Sequence, residues 1–207
     1  TYILLQKQDS ETNLDVPQGG ASLANAEFTI KYFSGLYDTN PEIQGIPPTR
    51  TWVLKTDSDG FAYLDNGWKV SGDEFYFSSM GEVTLPIGTI TIQETKAPEG
   101  YLINPEIFVR QITSDGFAEG VHTYNAPIVP EQSIRGGVQV RKADAENNTA
   151  QGNGTLAGTQ IEIINNNANT VTVNGVTYQP GEVVLTLTTS EDGTAVTAAD
   201  TLPYGHY

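Results

Sequence analysis

Alternation of apolar and polar residues dominates this chain. Between 89 and 93, Ile90 and Ile92 share one face, and Thr89, Thr91 and Gln93 share the other. That is the period-two signature of a half-buried strand. Continued in phase, the pattern puts Glu94 on the Ile90/Ile92 face, toward the core. A carboxylate there is costly unless it is paired, hydrogen-bonded or protonated. A strand ending at Gln93 would instead leave Glu94 at the rim.

The same reading predicts strands over 2–9, 26–33, 51–56 and 61–64, with the turn Asp57-Ser58-Asp59-Gly60 joining the last two. In the first strand Ile3 and Leu5 share a face, and Lys7 is next in that phase. Residues 73–77 read as a short extra strand or as an aromatic loop packed on a sheet. Tyr101 onward runs outward to Thr113, and 121–125 is expected as the closing strand. Residues 126–136, with Pro127 and Pro130, read as a linker. A second run of strands follows: 138–140 with Lys142 in phase, 159–164, a hairpin over 171–178 around Asn174-Gly175, 183–189 and 194–197. The Asn-Gly pair suits a type I′ turn. No amphipathic helix pattern persists. With 21 Gly and 11 Pro in 207 residues, the chain reads as all-β with many turns.

The two halves repeat in order. Lys7-Gln8-Asp9 matches Lys142-Ala143-Asp144, and the stretch from Leu23 to Phe28 matches that from Leu156 to Ile161. Asp57-Ser58-Asp59-Gly60 matches Ser190-Glu191-Asp192-Gly193, and Leu85-Pro86-Ile87-Gly88 matches Leu202-Pro203-Tyr204-Gly205. Leu23 to Gly60 and Leu156 to Gly193 are both 37 positions. Gly60 to Leu85 is 25 positions, against 9 from Gly193 to Leu202, so the first half carries a 16-residue insertion within 66–81. The second copy is expected to lack its equivalent acid and its final strands.

Composition narrows the function. A formal net charge of −15 argues against nucleic acid or an anionic membrane as partner. Cysteine is absent, so an exported protein of this sequence is held together by something other than disulfides. The sequence contains no signal peptide or membrane-spanning run. Leu85-Pro86-Ile87-Gly88-Thr89 superficially resembles a sortase signal, but with Gly and Thr in the wrong order and no apolar tail following. The chain is expected to be a fragment of something longer. Two histidines, His122 and His206, offer no Ser-His-Asp or metal set, and Asp57-Ser58-Asp59-Gly60 lacks the remaining ligands of a calcium loop. No cofactor or metal is implied. Trp52, Trp68, Phe75, Tyr76 and Phe77 are candidates for an aromatic ligand surface, with packing on the sheet as the favoured reading. Asn147-Asn148-Thr149 and Asn153-Gly154-Thr155 match glycosylation sequons.

Together, Lys-x-Asp on the first strand, Leu-Ala-x-Ala-Glu-Phe, Thr-Asp-x-Asp-Gly, Leu-Pro-x-Gly-Thr and Glu94-Thr-Lys-Ala-Pro-Glu-Gly-Tyr101 resemble the B-type (CnaB) domains of Gram-positive collagen adhesins and SpaA-type pilins. The resemblance covers the first unit and two thirds of the second. It implies tandem prealbumin-like β-sandwiches, over 1–126 and 137–207, on the outside of a Gram-positive cell. It also implies that a first-strand lysine bonds covalently to a last-strand asparagine with the help of a buried glutamate. Carried over by position, these are Lys7, Asn125 and Glu94, and in the second unit Lys142 alone. Such a site works because an enclosed lysine is available as a neutral nucleophile, and a protonated glutamate polarises the carbonyl and shuttles protons as ammonia leaves. The role implied is a stalk or pilin-like spacer, not a turnover enzyme, whose partners are neighbouring domains of the same protein. The alternative is an adhesin module that binds a host protein or glycan through 66–81 or the loop 35–50. A second unit completed by another chain would make Lys142 a site of intermolecular linkage.

Overall fold

The computed structural model describes residues 3–113 and 127–207. They divide into two compact units, 1–16 with 22–132, and 17–21 with 133–207.

The first unit contains β1 (Ile3–Asp9), β2 (Glu27–Phe33), β3 (Arg50–Lys55), β4 (Phe61–Tyr63), β5 (Lys69–Gly72), β6 (Tyr76–Phe77), β7 (Val83–Thr84), β8 (Gly88–Lys96), β9 (Ile107–Ile112) and β10 (Ile128–Glu131). Five of them form a sheet in the order β5-β3-β2-β8-β9, and three form a second sheet in the order β10-β1-β4. Each sheet contributes one apolar face. Phe28, Ile30, Trp52, Leu54, Ile90 and Ile92 come from the larger sheet, and Leu4, Leu5, Ala62 and Val129 from the smaller. All ten are buried in one cluster, the arrangement that lets two amphipathic sheets hide their apolar faces in each other.

Two departures from simple alternation matter. A register shift in β1 against β4 falls between Ile3 and Leu5, inserting Leu4 as an extra residue. The bulge turns both Leu4 and Leu5 into the core and leaves Ile3 44% exposed, so Ile3 does not share the buried face expected for it. From Leu5 the phase runs true, and Lys7 and Asp9 point inward. The second shift lies between Glu27 and Phe28 of β2 and sets Phe28 opposite Glu94.

The stretch expected as a linker carries two strands instead. Ile128–Glu131 is β10, running parallel to β1 with Lys7 beside Val129 and Asp9 beside Glu131. It is an edge strand, which is why Pro130 is tolerated within it. The other strand is β11 (Arg135–Gly136) of the second unit. The closing strand expected over 121–125 lies outside the described residues.

The second unit continues with β12 (Gln139–Arg141), β13 (Gln160–Ile164), β14 (Val171–Val173), β15 (Val176–Tyr178), β16 (Val183–Thr188), β17 (Thr194–Val196) and β18 (Leu202–Pro203). They pair as β11-β18, β12-β17, β13-β16 and β14-β15. The β14-β15 hairpin turns at Asn174 and Gly175 with φ of 51° and 78°, the positive values that a type I′ turn demands. Its core is smaller: Ile163, Val171, Val173, Val184 and Leu202.

The correspondences between the halves recur as hydrogen bonds. The Lys7 and Lys142 amides each donate to a turn glycine carbonyl, Gly60 and Gly193, at 2.8 Å. Thr56 and Thr189 hydroxyls each donate to a leucine carbonyl, Leu23 and Leu156, at 2.6 Å. A side-chain Cβ at Gly193 would sit 2.3 Å from the Lys142 carbonyl oxygen, and at Gly60 3.0 Å from that of Lys7. Both glycines also have φ near +80°, so the Asp-Gly turn ending is a steric requirement of the strand beside it.

Truncating Ile92, fully buried between the sheets, is expected to cost about 2–5 kcal/mol. Val196→Ala, at a 68% exposed site, should stay within about 0.5 kcal/mol. Urea unfolding of the two variants beside the wild type checks both values.

Candidate functional site

Three ionisable side chains meet between the sheets of the first unit. The Lys7 amine, from β1, donates to Glu94 Oε1 from β8 and to Glu131 Oε1 from β10. All three residues are buried, and the amine also lies 5.0 Å from the centre of the Phe28 ring. The sequence reading thus placed Lys7 and Glu94 correctly on inward faces. Glu94 is a core residue near the end of β8, not a rim residue. Asn125, the expected third member, lies outside the described residues.

Glu131 is the member that the sequence reading missed. Its signal is the alternation Val129-x-Glu131, which repeats the Leu5-x-Lys7 pattern of β1. The burial of its carboxyl group pushes it up to about 7 against the pull of Lys7, and the Glu94 charge adds to the rise. Its second oxygen, Oε2, is buried with no hydrogen-bond partner among the described residues.

Glu94 is held differently. Its Oε2 accepts the backbone N–H of Asn104 at 2.6 Å, which leaves Oε1 for the amine. The Asn104 side chain donates to the Pro130 carbonyl at 2.9 Å, so one residue ties the β8 acid to the β10 backbone. Asn104 precedes Glu106 in a segment without periodicity, and nothing in the pattern of apolar positions singled it out.

The motif residues beyond Glu94 now have a physical reason. Pro98 and Tyr101 close a turn through a backbone bond of 3.3 Å. That turn sends the Tyr101 hydroxyl back to Asp9, where it donates to Oδ2 at 2.9 Å. Asp9 Oδ1 accepts the amides of Glu11 and Thr12. Lys7 and Asp9 of the Lys-x-Asp motif therefore meet, respectively, the first and last residues of the Glu94–Tyr101 motif.

Lys142 is placed otherwise. It is exposed, and its amine donates to the Thr159 hydroxyl at 2.9 Å. Among the described residues no carboxylate lies within salt-bridge distance of it.

The aromatic candidates divide between core and surface. Trp52 and Phe75 are buried with ring centres 5.6 Å apart, Tyr76 stacks on the Arg50 guanidinium at 3.7 Å, and Trp68 packs on Tyr63 at 4.7 Å. Only Phe77 of the five is exposed. The insertion supplies β5 to the edge of the larger sheet and packs Phe75 under it. Asp57-Ser58-Asp59-Gly60 is a turn in which Asp57 Oδ1 accepts the amides of Asp59 and Phe61. His122 lies outside the described residues, and His206 is exposed.

Comparison with known proteins places this geometry in context. The family model described as SpaA, prealbumin-like fold domain, matches residues 2–127. Among solved structures, the Bacillus anthracis TIE protein is similar at 23% identity, with 97% of this chain aligned to 26% of that one and a TM-score of 0.44. A streptococcal ancillary pilin is similar at 18% identity over 97% of this chain and 50% of its own, TM-score 0.36. The shaft pilin SpaA of Lactobacillus rhamnosus GG follows at 14% identity over 91% and 78%, TM-score 0.33. The chain therefore spans about a quarter of the first structure and half of the second. No curated protein matches it.

Tyr101→Phe is expected to destabilise the first unit by about 1–3 kcal/mol, the value of a buried hydrogen bond to a carboxylate. Chemical denaturation measures it, and a loss below about 0.5 kcal/mol would show that Asp9 does not depend on the tyrosine.

Proposed function

Because this chain belongs to the SpaA family of prealbumin-like fold domains, we propose that it is a spacer module of a stalk or pilus on the outside of a Gram-positive cell. In this reading an intramolecular isopeptide bond from Lys7 to the C-terminal part of the first unit locks that unit. Glu94 acts as the proton shuttle.

The observation that carries the reading is the buried contact of the Lys7 amine with acids from two further strands, β8 and β10. Three ionisable groups withdrawn from water are costly to keep, and cheaper alternatives for packing a core abound. A site of this kind is explained when the groups do chemistry. The resemblance assigns the acceptor role to Asn125, from which the bond would expel ammonia. The reaction occurs once per molecule and leaves no free enzyme.

A link between Lys7 and the last strands closes a loop of more than a hundred residues. By analogy with disulfides, restricting the unfolded chain in this way contributes roughly 5 kcal/mol. Unlike a disulfide, it is indifferent to reductants, which suits a chain with no cysteine. The matched hydrogen bonds at Lys142, Gly193, Thr189 and Leu156 support reading the second unit as another copy of the same module. The placement of Trp52 and Phe75 in the core favours a spacer over an aromatic ligand surface.

The intact mass of the denatured chain, beside that of Glu94→Ala, tests the reading. The wild type is expected to be lighter than its sequence requires by one small molecule, and the variant to have its full mass. Full mass in both proteins would overturn the crosslink and leave only the fold and family.

A further inference from the structure

We infer that the group joined to Lys7 is the side-chain carboxyl of Glu131, which condenses with the amine and releases water. The inference rests on the isopeptide reading and changes its acceptor.

Position comes first. Parallel pairing sets Lys7 beside Val129, and the next inward side chain along β10 is that of Glu131. Its Oε1 is in contact with Nζ, so Cδ lies one bond from an atom that the amine already touches. No backbone movement is needed to bring nucleophile and electrophile together, which is the larger part of what an intramolecular reaction gains.

The two acids are then unequal in the way the reaction requires. A carboxylate resists attack, and a neutral carboxylic acid accepts it. Glu94 has its Oε2 occupied by the Asn104 N–H, leaving Oε1 to take up and return a proton beside the amine. Glu131 has a free Oε2 among the described residues, and burial holds its carboxyl up to about 7. Burial thus favours the neutral form of Glu131, the form that accepts attack, while the geometry leaves Glu94 Oε1 beside the amine to take its proton.

The step balances. The Lys7 ammonium gives one proton to Glu94. The neutral amine adds to Glu131 Cδ, forming the Nζ–Cδ bond. The adduct loses a second proton from Nζ, and the Glu131 hydroxyl takes up one proton as its C–O bond breaks. Water departs, an amide N–H remains, and Glu94 ends protonated. Site charge is zero before and after, but an ion pair has been replaced by neutral groups, which removes the penalty of burying charge. Asn104, bonded to both Glu94 and the Pro130 carbonyl, is a positioning residue for the step.

High-resolution mass of the full chain separates the acceptors, since an amide acceptor expels ammonia and an acid expels water. The wild type and Asn125→Ala should both lack one water, and fragmentation of a protease digest should show a branched peptide joining Lys7 to Glu131. Glu131→Gln offers an amide at the same place, so its loss should change from water to ammonia; a purely structural Glu131 would not produce that switch. If that variant does not fold, the wild type and Asn125→Ala still decide. An ammonia loss in the wild type that Asn125→Ala abolishes would overturn this inference and leave the isopeptide reading intact. A branch at Glu94 would likewise overturn it. Full mass in the wild type would overturn both.

Discussion

The first unit depends on one constraint: a primary amine and two carboxyl groups enclosed together away from water. None of the three is tolerable there alone. Lys7 without the acids would be an unpaired buried cation, and either acid without Lys7 would lose the partner that offsets its burial. The strands that carry them come from both sheets, so forming the site and closing the sandwich are one event. Sheet pairing sets β8 between β2 and β9 in the larger sheet, and the parallel pairing of β10 with β1 brings Glu131 to the amine.

The rest of the local structure can be understood as service to that contact. The bulge at Leu4 sets the phase that turns Lys7 inward. Gly60 gives the room and the positive φ that let the neighbouring turn close on the Lys7 backbone. Asn104 fixes the second oxygen of Glu94, and Tyr101 anchors Asp9 two residues beyond the amine. The second unit keeps the backbone part of this arrangement around Lys142 and Gly193. Its lysine side chain meets a threonine hydroxyl at the surface instead.

Much of this was legible in the residues. Alternation of Ile90 and Ile92 pointed Glu94 inward, Leu5 did the same for Lys7, and Asn174-Gly175 announced its hairpin. These are local signals, each contained within a few positions. Glu131 was not legible because its partner lies 124 positions away and the pairing is parallel, with no turn to announce it. Pro130 beside it reads as a breaker unless the strand is known to lie at an edge. Ile3 misled for a related reason: a bulge is set by the partner strand as much as by the residues that bulge. Asn104 works through its backbone N–H, which any residue but proline possesses, so its identity carries half the signal at most.

The parallel pairing of β1 and β10 has a mechanical corollary. Both strands run the same way, so the first unit receives the chain at one end of that pair and releases it at the other. Tension drawn through the polypeptide would pull β1 and β10 past each other lengthwise, loading their ladder bonds and the Lys7 contacts in shear and all at once rather than opening them one by one. The strands between them in sequence, including the whole five-stranded sheet, would carry load only after that single seam had failed.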